Sequence, residues 1–286
     1  MKSTTTYRIM IGTMALAMGS AAFADTYKLA GNQGSSQDWN TLGDWVNTVG
    51  GAHPAAILAT DDFDLDGNVL RGPTSANPTF GGKSLTTSGG GPILFKHTGT
   101  ATITNFVDSG GTVLINGQGG TQGVHLVNFT LNGWTRFQAD PGRGLDIQID
   151  GWTGSATMRM GNGTTQTGYY GLTVTDASGY TGLLQSTFGT TDWKNDADLS
   201  NATYEIVTAG YEDVILNSDI TVGSLVIGST TYGPGTYSFA TLNAAHDSSF
   251  VDGGTGSITV IPEPRTLGLI GLSSAGIMVV RRFMSM

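Results

Sequence analysis

The chain has 286 residues, 44 of them glycine and none cysteine, so neither disulfides nor thiolate metal sites contribute to it. All 22 acidic residues lie between Asp25 and Glu263, where only eight Lys and Arg accompany them, leaving that stretch with a formal charge of −14. Such a body repels phosphate backbones, which excludes nucleic acid as its partner.

Residues 1–24 read as a secretory signal peptide. Lys2 and Arg8 open it, an apolar run follows from Ile9 to Met18, and Ala22-Phe23-Ala24 matches the small-x-small pattern that signal peptidase reads. Asp25 is the expected mature N-terminus. The other reading, an uncleaved membrane helix, needs roughly 20 apolar residues where this run has about 10.

Residues 25–260 form the expected body. Glycine is about twice its usual share of ~7 %, Thr, Ser and Asn are abundant, and no stretch rich in Ala, Leu, Glu and Lys offers a long helix. Early in the body, Asp62-Phe-Asp64-Leu-Asp66-Gly67-Asn68 places carboxylates at positions 1, 3 and 5 ahead of a glycine, as a calcium loop begins. Position 12, where a bidentate Glu should close the shell, is Pro73. The segment therefore reads either as an acidic turn leading into Val69-Leu70 or as a weak calcium site on Asp62, Asp64 and Asp66.

From Ala101 onward come short segments alternating apolar and polar residues: Ala101 to Phe106, Thr112 to Ile115, Val124 to Leu131, Leu145 to Ile149, Ala156 to Met160 and Gly171 to Thr175. A period of two sends Leu145, Ile147 and Ile149 to one face and Asp146 and Gln148 to the other. Asx-Gly pairs recur at Asn116-Gly117, Asn132-Gly133 and Asp150-Gly151, read as corners spaced too irregularly for a strict repeat. The fold class is all-β. The pattern predicts a right-handed parallel β-helix over residues 90 to 190, with Ile103, Leu114, Phe129, Leu131, Ile147 and Ile149 pointing inward. The alternative is an antiparallel sandwich that uses the same Asn-Gly pairs as hairpin turns. Segments between Asp213 and Phe239, punctuated by Gly233-Pro234-Gly235, are expected to form hairpins that cap the last coil.

No catalytic or metal-binding constellation emerges. His53, His97, His125 and His246 are scattered singly without ligand spacing, and the glycine runs lack the lysine of a phosphate loop. Asp146 and Asp150 share an outward strand face with Arg143 and Arg159 nearby in sequence, but two carboxylates four residues apart on a strand are about 13 Å apart. Glycosidase pairs need about 5 to 9.5 Å, so a partner would have to come from another coil. Trp134, Trp152, Tyr169 and Tyr170 would stack on sugars if they lined one exposed face; the other reading, the commoner one for aromatics at coil ends, is core or stacking ladders. Asn128, Asn162 and Asn201 head Asn-x-Ser/Thr triplets that a Thr-rich chain produces by chance.

Residues 261–286 have three parts in order: Ile261-Pro262-Glu263-Pro264, an apolar stretch from Leu267 to Val280, and Arg281-Arg282. At about 1.5 Å per residue the apolar stretch reaches about 21 Å against a hydrocarbon core near 30 Å, a short membrane helix with a cationic stop. The positive-inside rule puts Arg281 and Arg282 in the cytoplasm and the body on the export side. This tail resembles the PEP-CTERM sorting domain of Gram-negative bacteria. The resemblance implies a membrane-tethered intermediate whose tail an exosortase-like enzyme recognises at Pro262, Glu263 and Pro264, and delivery to the cell surface or extracellular matrix.

The body is similar to autotransporter-associated β-solenoid segments through Asp38-Trp39-Asn40, Asp44-Trp45, the units from Ile103 to Ile149, Thr231 to Tyr237 and Gly256 to Val260. Together these imply a non-enzymatic surface or matrix protein with no resident cofactor. Its expected partners are the secretion machinery, signal peptidase, an exosortase-like enzyme and exopolysaccharide. The second reading is a secreted glycan-binding or glycan-cleaving β-helix with the same address.

Overall fold

The computed structural model describes residues 24–34, 38–115, 120–140, 142–161, 168–207 and 214–262. Strands alternate along the chain between two sheets. The first sheet takes Thr26–Leu29, Asp62–Asp64, Ser84–Thr86, Thr100–Asp108, Thr121–Leu131, Gly144–Gly154, Tyr169–Tyr180, Thr190–Trp193 and Val214–Ile215. The second takes Leu70–Arg71, Ile93–Phe95, Gly111–Ile115, Thr135–Ala139, Thr157–Met160, Leu183–Ser186, Ala197–Ile206, Asp219–Ile227 and Ser257–Val260. Along each of these two series, neighbouring strands pair in parallel. A chain that visits two sheets in turn and always returns parallel to itself is a β-solenoid.

The period is loose because the turns differ in length while the strand register does not. One coil advances 20 residues, from Ile93 to Val113, and another 26, from Met158 to Leu184. What repeats is the inward position. Ala101, Val124, Ile147 and Leu172 follow one another in register and are all buried, as are Phe106, Phe129 and Trp152. Phe129 also meets Phe137 of the opposite sheet edge to face, with centroids 6.0 Å apart, so the two sheets share one interior.

Five of the six residues expected to point inward, Ile103, Phe129, Leu131, Ile147 and Ile149, are buried; the Leu114 side chain lies outside the described ones. The antiparallel sandwich is overturned by the parallel pairing. The coil also extends well beyond residues 90 to 190, from Thr26 to Val260. Its early strands are only two to four residues long and carry a single inward side chain or two, such as Phe63 or Leu85, too few to display a period.

The expected terminal hairpins need correction. Val214–Ile215 and Asp219–Ile227 are still parallel coil strands. The cap is smaller: Thr230–Tyr232 folds back antiparallel on Asp219–Ile227, and Gly235–Ser238 does so on Ser257–Val260. Between them lies the helix Phe239–Ala245, N-capped by the Ser238 hydroxyl accepting from Thr241 N at 3.3 Å, with Leu242 buried. At the other end Trp45–Asn47 closes the first coil antiparallel to Thr26–Leu29.

Asp150-Gly151 is no corner either. It lies inside the strand Gly144–Gly154, where the register shifts between Gly151 and Thr153. Asn132-Gly133 does sit between strands, and Asn116-Gly117 falls outside the described residues. One bend is locked by a buried carboxylate: Asp108 accepts from the Thr87 hydroxyl at 2.7 Å and from Gly110 N at 2.9 Å. Burial pushes the Asp108 carboxyl above its usual range, against the lowering effect of these bonds.

Candidate functional site

The outer face of the first sheet carries the densest polar arrangement, because the register that aligns the core also aligns the outward side chains. Reading across coils, Gly123, Asp146, Gly171 and Asp192 form one column, and Thr102, His125, Gln148 and Thr173 form the next. His125 Nε2 lies 2.7 Å from Asp150 Oδ2, and Gln148 Nε2 donates to Asp150 Oδ1 at 2.9 Å. These bonds, led by that from Gln148, hold the Asp150 carboxyl below its usual range.

One column over, Tyr169 donates its hydroxyl to Asp192 Oδ2 at 2.5 Å, and Lys194 Nζ reaches the same oxygen at 2.6 Å while lying 5.0 Å from the Tyr169 ring centre. The bond to Asp192, then that to Tyr169, raises the Lys194 pKa. Asp146 is exposed on one side, yet partial desolvation raises its pKa, with Asp192 adding to the rise and Lys194 opposing it. Gly171 makes this approach feasible. A side chain there would run into the Asp146 carboxylate and, at 3.0 Å, into Lys194 Cε.

Asp146 and Asp192 thus come from strands two coils apart, a Cα separation of about 9.6 Å at the usual ~4.8 Å strand spacing. That neighbour from another coil was invisible in the sequence, because its distance is set by the 25-residue advance from Asp146 to Gly171 and the further 21 to Asp192. Asp146 and Asp150 do share the outward face, but Arg159 does not join them. It lies on the second sheet, its Nε donating to Thr187 Oγ1 at 3.1 Å.

The aromatics divide between the two readings. Trp152 and Tyr170 are buried at 1 % exposure, Trp152 stacked on Tyr180 with centroids 4.0 Å apart, so neither can meet a ligand. Trp134 is exposed under the Arg136 guanidinium, but precedes a strand of the second sheet, away from Tyr169 on the first. Among the described residues no exposed aromatic stripe joins the two.

The acidic segment is also rearranged. Asp62–Asp64 is a strand, not a turn, and the turn follows at Asp66-Gly67, where Asp66 has φ of 50°. Asp62 accepts from Ser84 Oγ at 2.5 Å and pairs with Lys83 at 3.2 Å. Asp64 accepts from Ser88 Oγ at 2.6 Å, and Asp66 pairs with Lys28 at 3.1 Å. Among the described residues no group of three His, Cys, Asp or Glu converges to hold a metal.

Of the single histidines, His97 is buried, with Nε2 2.9 Å from Gly123 O, and burial lowers its pKa. His246 meets the Tyr232 hydroxyl at 2.7 Å, and His53 meets Trp45 O at 2.7 Å. Asn128 donates to Asn105 Oδ1 at 2.9 Å, one step of a ladder between coils, and Asn201 donates to Ser178 O at 2.9 Å.

Of the targeting residues, Ala24 and Asp25 are exposed at the edge of the first coil, and Pro262 follows the last hydrogen-bonded residue of the second sheet. Ala22, Glu263, Pro264, the 267–280 stretch, Arg281 and Arg282 lie outside the described residues. No helix among the described residues is long and apolar enough to cross a membrane. No family model, curated protein or solved structure matches the chain.

Proposed function

We propose that this chain is a non-enzymatic, exported scaffold of the cell surface or extracellular matrix, released into place through its C-terminal tail. The carrying observation is where the chemistry-bearing side chains go. Four of the five tryptophans, Trp39, Trp45, Trp152 and Trp193, are core residues, and several outward polar groups bond to the adjacent coil. That is how a stiff rod is built, and among the described residues it leaves no exposed row of rings for a sugar chain. The rod is taken as right-handed, the sense that strand twist favours for parallel crossovers.

The ends of the folded body support the tail reading. Ile261 N donates to Val222 O at 3.0 Å, and Pro262, which has no N–H, comes next. Proline lacks the amide donor and holds the residue before it, Ile261, extended. A cut near Glu263 therefore falls beyond the last coil hydrogen bond among the described residues. The resemblance to PEP-CTERM-type tails is accordingly read as function: a transient membrane tether, an exosortase-like partner, and a matrix destination. The test is localisation in the native host. Deleting residues 261–286 should move the protein out of the surface and matrix fraction, and an unchanged distribution would remove the sorting role.

The second reading, glycan binding, is favoured by one observation: the Asp146 carboxylate has no hydrogen-bond partner among the described residues, beside the Tyr169, Asp192 and Lys194 cluster. Asp146→Asn should weaken retention on immobilised matrix polysaccharide at least tenfold if that face binds sugar. Equal retention would leave the scaffold reading alone.

A further inference from the structure

Asp61 precedes the strand Asp62–Asp64 and is 1 % exposed. Its Oδ1 accepts from Asp25 N at 3.2 Å and from the Thr60 hydroxyl at 3.2 Å. Its Oδ2 is buried with no hydrogen-bond partner among the described residues. None of the ion pairs among those residues includes Asp61. A carboxylate so placed lacks a cation, and burial without a matched donor is costly.

The nitrogen nearest to it is held in place. Asp25 O accepts from Asp62 N at 2.9 Å, while Asp61 N donates to Leu58 O at 3.0 Å and Asp61 O accepts from Lys83 N at 2.8 Å. The Asp25 side chain does not compete for the space, since its Oδ2 accepts from the Tyr27 hydroxyl at 3.2 Å. In an uncut chain Asp25 offers Asp61 one neutral amide proton. In a chain that begins at Asp25 it offers an ammonium group with three protons and a full charge.

We propose that the buried carboxylate of Asp61 is a binding site for the α-ammonium of Asp25, created by cleavage after Ala24, so that processing completes the N-terminal cap. The cut itself rests on the signal-peptide reading; the pairing rests on Asp61. Water hydrolyses the Ala24–Asp25 peptide bond: the C–N bond breaks, Ala24 leaves with a new carboxylate, and the freed amine of Asp25 takes up a proton. Charge-assisted pairing then satisfies the open side of Asp61. The mature terminus is thereby pinned at both its nitrogen and its carbonyl, where chain termini usually fray. Export and folding become coupled, because the cap reaches its full strength only after the signal peptide is gone.

The test compares chains running from Asp25 to Met286 with a free amine, exposed by cutting a fusion directly before Asp25, and the same chains acetylated at that amine. The free-amine form should melt about 2–4 °C higher, and the difference should vanish in Asp61→Asn. Equal melting of the two forms, or a gap that survives Asp61→Asn, would overturn the proposal. Should Asp61→Asn fail to fold, titration of the α-amine in the unsubstituted chain decides. Its pKa should lie above the ordinary value of about 7.7–8.0, with Asp61, Asp25 and Tyr27 the titratable groups around it. An ordinary value contradicts the pairing. N-terminal sequencing of the exported protein tests the cut separately, and a start other than Asp25 would refute the signal-peptide reading while leaving the thermal result to judge the pairing.

Discussion

The middle coils and the N-terminal cap bury aromatic rings in opposite ways. In the middle, Phe106, Phe129, Trp152 and Tyr180 form a ladder, with Phe106 and Phe129 stacked 10° from parallel and Trp152 and Tyr180 stacked at 15°. At the cap, Trp39, Trp45, Phe63, Phe80 and Phe95 meet mostly edge to face, at interplanar angles of 73° to 89° in four of their contacts, and no register relates these five; the one in-register stack there is Tyr27 on Phe63, at 19°. A ladder works where each coil has a copy above and below it. Among the described residues no coil precedes the first, so its open end needs a plug of rings that pack in different directions. Terminal units of solenoids differ from internal ones for this reason.

The largest expected effects test that difference. Trp152→Ala should remove about 3–5 kcal/mol and lower the main urea transition, because it breaks the ladder in the middle of the stack. Trp45→Ala, which also loses the bond from Nε1 to Trp39 O at 2.9 Å, should lose a similar amount. Its loss should fall on the first coils as early hydrogen exchange between Thr26 and Leu65, with the coils beyond Thr100 still protected. Uniform loss of protection in both variants would erase the distinction between cap and ladder.

Gly154→Ala should come next, at about 1–3 kcal/mol by chemical denaturation. Gly154 has φ of 108°, and a Cβ there would run into the backbone of Leu131 on the preceding coil. Asp108→Leu should cost about 1–3 kcal/mol by leaving the Thr87 hydroxyl and Gly110 N–H without their acceptor. Asp108→Asn keeps an acceptor oxygen and should cost less. Its pH dependence sharpens the point. The folded-state pKa of Asp108 is raised, so its contribution to stability is complete below the unfolded value near 3.9 and is lost as pH rises through the raised folded value. Relative to the unsubstituted protein, Asp108→Asn should therefore gain stability between acid and neutral pH. The smallest effect belongs to the outer face: Lys194→Ala should change stability by less than about 1 kcal/mol, since Lys194 is 41 % exposed.

The sequence disclosed the coil where strands were long enough to show a period. Leu145, Ile147 and Ile149 alternate with Asp146 and Gln148, and that alternation is the burial pattern observed. It did not disclose the first coils, whose strands bury one or two residues each, nor the parallel role of Asp219–Ile227, because a Gly-Pro-Gly turn just beyond it mimics a hairpin series. Alternation alone could not place Trp152, because a bulge after Gly151 resets which side chains face inward. The polar cluster was half legible: Asp146 and Asp150 stood out on one strand, while Asp192 and Lys194 reach it only through coil spacing that turn lengths, not strand patterns, determine.

The central claim is that a stiff, exported body is cut free from signals at both ends, and intact-mass measurement on the protein recovered from its native host tests it most directly. The account predicts a chain that begins at Asp25 and ends near Glu263, without the 267–280 stretch. Recovery of a chain that retains either residues 1–24 or Arg281-Arg282 would contradict it.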